Sequence, residues 1–506
     1  MQRVLAFLRS SLFLKIIFAV FILQGVFFAL AVNPSYVEIH DSGQETRGGG
    51  VVPDGNRHKA AIYYFANQPL LSGPTITNME PEDLWMGELE RFPSYLYYYV
   101  LSFPVRIGML FNLSDGAHTI LVRLVGLGFG VWALWVFRQI VRELKAGRIV
   151  TNLAVAALAL TGSFAWLAPA ENYDIFALLL WFLFLLASLR LFTRRDPTQL
   201  YWMLIWFLLG SVAKYTYIPF MGLAGLGALG LYVWPDGVRL GWQRIATHYR
   251  QLFGNSSRWL LAAGATGLLV AGGLFVERIG VNLVQYQSFN PSCAKVHSHE
   301  ACMAFGVYER NYNRKKAIAE GTASYTAEFE PVSYTQLWLE RYFTSMYAYQ
   351  GHIWIYTYWS ALYVGLATVL AAVGGLWIYV LWRRKRVVQN SQQYFVLGMA
   401  LVMIVAQFVF NMRAFITFAG EPYAHQGRYL LGAIGFVYVL LLLIVAAALR
   451  AMSERWRARV LPVLVAVAIT AVCATAALPS FFAHATTAEW YSPLARSVLP
   501  SWITHE

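Results

Sequence analysis

Charged residues are scarce in this chain. Asp, Glu, Lys and Arg make up 13% of 506 positions, about half the ~25% typical of soluble proteins. Acidic residues are the scarcer sign, 26 against 39 Lys and Arg. Disordered chains are charged and poor in aromatics, and 16% of this one is Phe, Trp or Tyr, which excludes that class. With three cysteines it is no disulfide scaffold, and its composition is not collagen-like. A soluble multidomain protein is excluded by the 58% hydrophobic content. The apolar residues run on without alternating, against a porin-like barrel. What is left is an all-α polytopic membrane protein.

Apolar runs near 20 residues are long enough to cross a bilayer as helices, and about eleven are present. They fall roughly at 12–32, 120–141, 150–169, 174–192, 199–218, 219–234, 259–276, 353–382, 393–413, 429–449 and 460–479. Pro219 makes the division between the fifth and sixth ambiguous. Short loops on one side collect Arg3 and Arg9, then Arg138, Arg142, Lys145 and Arg148, then Arg190, Arg194 and Arg195. Arg239, Arg244, Arg250 and Arg258 follow, then the run Arg383-Arg384-Lys385-Arg386, and last Arg450, Arg455, Arg457 and Arg459. With eleven spans all these lie on one face, which the positive-inside rule makes the cytoplasm. The net charge of +13 therefore reads as a topology signal rather than a nucleic-acid surface. The N-terminus is expected inside and the C-terminal tail, 480–506, outside. Ala29-Leu30-Ala31 resembles a signal-peptidase site, but the apolar stretch before it is long for a signal peptide and reads as an uncleaved anchor.

Residues 1–479 form the expected membrane domain, with two long external segments, 33–119 and 277–352. Large loops on one face suggest recognition or chemistry there, and no inverted repeat of the transporter kind is evident. Cys293 and Cys302 share the second segment, where an oxidising compartment permits a bridge. Free thiols, or a zinc site with His297 and His299, are the alternatives.

Polar residues near the external face are the functional candidates. Val52-Pro53-Asp54-Gly55-Asn56-Arg57-His58 precedes a helix-like stretch, and Asp41 is a competing first-loop acid. Tyr95 to Tyr99 follow Pro93 in a segment suited to lie on the membrane surface. Lys214 stands near the outer end of an apolar span, where an ionisable group is a functional candidate by default unless it snorkels to the headgroups. Glu171 and Asp174 flank a short turn; they either bind a divalent ion such as Mg or Mn or cap the next helix. His425 and Arg428 occupy the turn before the tenth span, where a guanidinium suits bidentate phosphate binding or serves as an ordinary interfacial Arg. Gly126, Gly128 and Gly130, like Gly222 to Gly230, sit in spans as helix-packing residues.

These positions, in this order, resemble the GT-C superfamily of integral-membrane glycosyltransferases, which use polyprenyl-phosphate-linked sugars at the external membrane face. The matching residues are Asp54, then Pro93 with Tyr97 and Tyr98, Arg123 in Leu121-Val122-Arg123-Leu124, Asp174, and Gly210 with Lys214. Gln426-Gly427-Arg428-Tyr429 looks like a motif of a poorly characterised bacterial branch. The likeness spans most of 1–450. It departs in lacking a second acid after Asp54 and in having Ser94 where a second proline is usual.

The resemblance implies a multi-pass enzyme of the plasma (bacterial inner) membrane moving a sugar to a cell-envelope glycan, lipid or protein acceptor. The missing second acid leaves Asp54 as catalytic base, metal ligand or neither; the chemistry of the transfer assigns it as base, with His58 as auxiliary donor and Lys214 and Arg428 gripping the leaving phosphate. Arg57, Tyr97, Tyr98 and His425 would contact substrate. Two other classes fit the composition: a lipid-linked sugar flippase or envelope glycan polymerase, and a non-enzymatic assembly or sensor protein. A flippase wants polar groups along a central path, and the span centres carry few.

Overall fold

The computed structural model describes residues 2–33, 54–69, 73–255, 258–323, 329–347, 359–383, 386–475 and 477–504. Asp41 lies outside them. Among the described residues the regular structure is helical, and strand-like pairing is confined to a single bridge between Val32 and Tyr491.

The first half runs α1 (Gln2–Arg9), α2 (Ser11–Ala31), α3 (Gly55–Asn67), α4 (Leu96–Leu110), α5 (Asp115–Glu143), α6 (Arg148–Ala159), α7 (Gly162–Leu167), α8 (Asp174–Thr193), α9 (Thr198–Ala213) and α10 (Ile218–Val233). It continues with α11 (Val238–Asn255), α12 (Arg258–Phe275), α13 (Val281–Tyr286), α14 (Cys293–Val296), α15 (His299–Cys302), α16 (Gly306–Ala319) and α17 (Pro331–Tyr347). Last come α18 (Trp359–Trp382), α19 (Ser391–Thr417), α20 (Leu431–Ala451), α21 (Glu454–Thr475), α22 (Ala477–His484), α23 (Pro493–Val498) and α24 (Ser501–Thr504).

Among the described residues seven segments are long and apolar enough to cross a bilayer: Ser11–Ala31, Asp115–Glu143, Asp174–Thr193, Tyr215–Asp236, Leu261–Tyr286, Ser391–Thr417 and Gly427–Ala451. The chain is thus an all-α polytopic membrane protein. Each of the seven overlaps an apolar run read from the sequence. The other four runs come out differently. Residues 150–169 divide between α6 and α7 at a turn, and the run at 199–218 stops as a helix at Ala213. The run at 353–382 begins outside the described residues, and 460–479 overlaps α21 and α22.

α8 is the axis. Every residue from Asp174 to Phe182 is buried, and α8 packs against α5, α9 and α10. A helix apolar all round suits either lipid or such encirclement by protein. The outer helices instead turn large apolar groups outward: Leu226 on α10 and Leu269 on α12 are 70% and 75% exposed, which suits acyl chains as solvent. α4 packs on α3 and α5 and leaves Ile107 and Leu110 exposed. One apolar face open and the other on protein is the arrangement of a helix at the membrane surface.

Two devices close the end of α2 that lies farthest from the basic loops. The C-terminal segment folds back, so the Ser492 N–H donates to the Ala31 carbonyl at 2.7 Å and its hydroxyl to that of Leu30 at 2.5 Å. Arg123 of α5 donates through Nη1 to the Val32 carbonyl at 2.8 Å and through Nε to Glu171 at 2.9 Å. Helix-end carbonyls lack intrahelical partners, and here a buried guanidinium supplies one. Removing one member of a buried pair leaves an uncompensated charge, so Arg123→Ala is expected to cost about 3–5 kcal/mol. The double replacement Arg123→Met/Glu171→Leu should recover most of it. Thermal unfolding in detergent measures both; equal losses in the two variants would contradict this.

Candidate functional site

The polar candidates come from helix ends. α5, α8 and α20 run toward the basic loops from Asp115, Asp174 and Leu431, while α9 runs away from them and ends just before Lys214. Their opposite ends therefore meet α3 and the long segments on the same side.

Lys214 occupies a break. α9 stops at Ala213, Lys214 itself is extended (φ −155°, ψ 96°), and a single 3-10 turn over Tyr215–Tyr217 leads into α10. Its ammonium does not snorkel. It lies buried, 2.6 Å from Asp174 Oδ1, with the rings of Tyr429, Tyr173 and Tyr217 at 4.9, 5.4 and 5.7 Å from Nζ. Aromatic faces attract a desolvated cation, so the tyrosines complete what one carboxylate begins.

Arg428 joins the acids from opposite ends of the chain. Its Nη2 is 3.2 Å from Asp54 Oδ2 and its Nε 3.6 Å from Asp174 Oδ2. Arg57 Nη1 approaches the other oxygen of Asp54 at 3.4 Å. Arg57, Lys214 and Arg428 thus face Asp54 and Asp174, three cations against two carboxylates. Nε and Nη1 of Arg428 are buried and without a hydrogen-bond partner among the described residues. A buried donor left unmade costs about 1–3 kcal/mol.

Asp54 heads α3 with φ 57°, the left-handed region that L residues other than Asn and Asp seldom visit. Its carbonyl accepts the His58 N–H at 2.9 Å. Gly427 fixes the other side. A Cβ there would stand 2.5 Å from the Tyr342 carbonyl oxygen and 2.6 Å from the Met346 nitrogen of α17. Only glycine lets the chain approach closely enough to aim Arg428 inward.

His58 lies behind Asp54, fully engaged by protein. Asn172 takes the Asp174 N–H on Oδ1 at 2.8 Å, which turns its NH₂ toward His58 Nε2 at 3.5 Å. The ring therefore accepts at Nε2 and carries its proton on Nδ1, donated to the Tyr98 hydroxyl at 2.8 Å. Burial lowers the imidazole to about 4, so it is neutral at pH 7. Both ring nitrogens are engaged, by Tyr98 and Asn172. Tyr97 and Tyr98 are buried too, and Tyr97 donates to the Ala170 carbonyl at 3.4 Å; burial raises both phenols. They support the turn at 170–174 instead of bordering a lipid groove.

Other candidates are placed elsewhere. His425 donates through Nδ1 to the Tyr423 carbonyl at 3.0 Å and packs against Tyr334 and Phe415. Its ring is held by α17 and α19, not by the Asp54 network. Glu171 and Asp174 form no common ligand set, because Glu171 is committed to Arg123 while Asp174 holds Lys214 and Arg428. Carboxylates already neutralised by guanidinium and ammonium groups do not suit a divalent ion. Cys293 and Cys302 are joined as a disulfide, leaving no thiolate for zinc. His299 bonds the Tyr308 hydroxyl at 3.0 Å. His297 instead meets Glu88 and Glu90, and one ligand atom from each of the three lies within 4.8 Å of the others. That is a cation-sized cluster, occupied electrostatically by the imidazole, whose protonated form Glu88 favours.

Asn172 and Tyr173 are contributors that the sequence did not single out, and Tyr429 entered only as part of the motif around Arg428. Each adjoins a residue singled out for its charge, and that adjacency was the available signal. Arg310 of α16 stacks 4.0 Å over Tyr423, so the second long segment reaches the same end of the bundle. No protein-family model and no curated protein matches the chain.

Gly427→Ala should displace Arg428 and lower the thermal midpoint by several degrees in detergent, an unaltered midpoint counting against the close approach. The histidines should act oppositely with pH. His58 is depressed when folded, so its contribution is present above the ordinary imidazole value of 6.5 and is lost as pH falls toward about 4. His297 is raised, so its contribution is present below 6.5 and is lost as pH rises through the elevated value. His58→Gln should flatten the acid-side fall in midpoint, whereas His297→Gln should destabilise more at about pH 6 than at about pH 8.

Proposed function

We propose that this chain is an integral-membrane glycosyltransferase of the GT-C type. It takes a sugar from a polyprenyl-phosphate donor and delivers it to a cell-envelope glycan, lipid or protein acceptor at the outer face of the plasma (bacterial inner) membrane. In this reading the N-terminus and the basic loops are cytoplasmic, and the C-terminal segment is external. The observation that carries it is Arg428, a buried guanidinium set between Asp54 and Asp174 with two nitrogens that no hydrogen bond from the described residues satisfies. Phosphate oxygens match those donors bidentately.

The chemistry is a substitution at the anomeric carbon. An arriving donor phosphate gives Arg428 new acceptors and loosens its hold on Asp54. Asp54 Oδ2, released by Arg428 while Arg57 keeps Oδ1, takes the proton of the attacking hydroxyl as the new C–O bond forms. The bond between the anomeric carbon and the phosphate oxygen breaks, and its electron pair leaves with the polyprenyl phosphate. Lys214 and Arg428 face the growing negative charge in a site poor in water, where such stabilisation is strongest. The tyrosines around Lys214 hold the ammonium while its bond to Asp174 is exchanged for one to phosphate.

Purified protein in nanodiscs, given radiolabelled polyprenyl-phosphate sugars and an envelope extract, should release polyprenyl phosphate. Asp54→Asn is expected to lose about 10²–10⁴-fold in transfer while still binding donor. Lys214→Ala and Arg428→Ala should weaken donor binding itself by at least about tenfold. Undiminished transfer by Asp54→Asn removes the base, and unchanged donor binding in both cation variants removes the phosphate grip. Donor translocation without transfer would favour the flippase reading instead.

A further inference from the structure

At the opposite end of the bundle a second polar site is built from residues whose sequence role is topology alone. A cavity of about 480 Å³ is lined by Arg9, Arg138, Arg142, Lys145 and Arg148, five cations, with no acidic residue in its wall. The nearest carboxylate by sequence, Glu143, is turned away. It pairs with Arg190 at 3.4 Å and with Arg194. Among the described residues none of the five cations has an ion-pair partner, and Arg138 Nε is a buried donor with no hydrogen-bond partner. Five like charges around a hollow repel one another unless an anion enters.

The scaffold is rigid. Asn152 of α6 donates to the Leu8 carbonyl at 2.8 Å, fastening α1 over the start of α6. The loop from α5 to α6 is anchored where Gln393 and Asn390 donate to the Leu144 carbonyl at 3.0 and 3.1 Å. Gly147 precedes α6 without a side-chain cap, so uncapped N–H groups add to the positive potential.

We propose that this cavity binds a phosphate-bearing anion, and that a membrane phospholipid headgroup is its natural source. The helices that carry Arg9, Ser11 and Leu14 into the wall argue for lipid. Val4 and Phe7 of α1 are 49% and 41% exposed, and Leu12 and Ile16 of α2 are 57% and 42% exposed. They give these two helices apolar faces for acyl chains, so the cavity opens where lipid is at hand. Basic hollows at the membrane boundary hold anionic headgroups in this way. The site is independent of the glycosyltransferase reading.

The test is native mass spectrometry of full-length protein with phosphatidylglycerol, cardiolipin or phosphatidylcholine, and separately with pyrophosphate. Wild type should retain the anionic lipids at least about tenfold better than phosphatidylcholine. Arg9→Gln/Arg142→Gln/Arg148→Gln changes only exposed positions and should reduce retention to the phosphatidylcholine level. The corresponding triple Lys variant should keep it, and Arg138→Gln alone should lower it. Pyrophosphate binding that the triple Gln variant abolishes, without lipid preference, would leave the phosphate site standing with a soluble ligand. Cardiolipin and pyrophosphate behaviour unchanged in the triple Gln variant overturns the proposal.

Discussion

The pairing of Lys214 and Arg428 with Asp174 is the interaction on which the rest of this end of the molecule depends. Ionised groups removed from water are tolerated only when paired and hydrogen-bonded. Here one carboxylate holds an ammonium at 2.6 Å and a guanidinium at 3.6 Å. Asp174 opens α8, the most enclosed helix, so the pair fixes the break between α9 and α10 and the start of α20 to the axis of the fold. Asn172 then reads the position of the Asp174 N–H and passes it to His58 and Tyr98.

Among the described residues that network holds more cations than carboxylates. Asp54, Arg57 and Arg428 form a second layer in which Nε and Nη1 of Arg428 meet no hydrogen-bond partner among those residues. A purely structural cluster would be expected to close its hydrogen bonds. The surplus is the physical basis for proposing an anionic substrate. Asp54 takes the left-handed backbone that Asp visits readily, and Arg57 and Arg428 hold its carboxylate there. At the other end the same logic reappears without acids, in a cavity ringed by arginines.

The disulfide and α16 give the second long segment a role in this picture. Arg57 lies 4.9 Å from the ring of Phe305, just past the disulfide loop, and Arg314 donates to the Phe418 carbonyl at 3.1 Å. Segments separated by hundreds of residues thus bear on Asp54 and on the turn that leads into Arg428. The site is assembled by cross-chain packing rather than by any local motif.

The sequence by itself determined the solvent and the class of fold. Scarce charge and unbroken apolar runs leave helices as the way to satisfy backbone polar groups in lipid, and seven of those runs are long, apolar helices. It also singled out Lys214 as a functional candidate unless it snorkels, and Asp174 as a metal ligand or a helix cap. Tertiary structure alone decided their partners. It spent Glu171 on Arg123, turned Tyr97, Tyr98 and His58 into supports, carried His425 away, and divided the basic loop residues so that some enclose a cavity. The reason is range: hydropathy is a property of neighbours along the chain, whereas a charge buried at a helix end is governed by whichever distant segment packs against it.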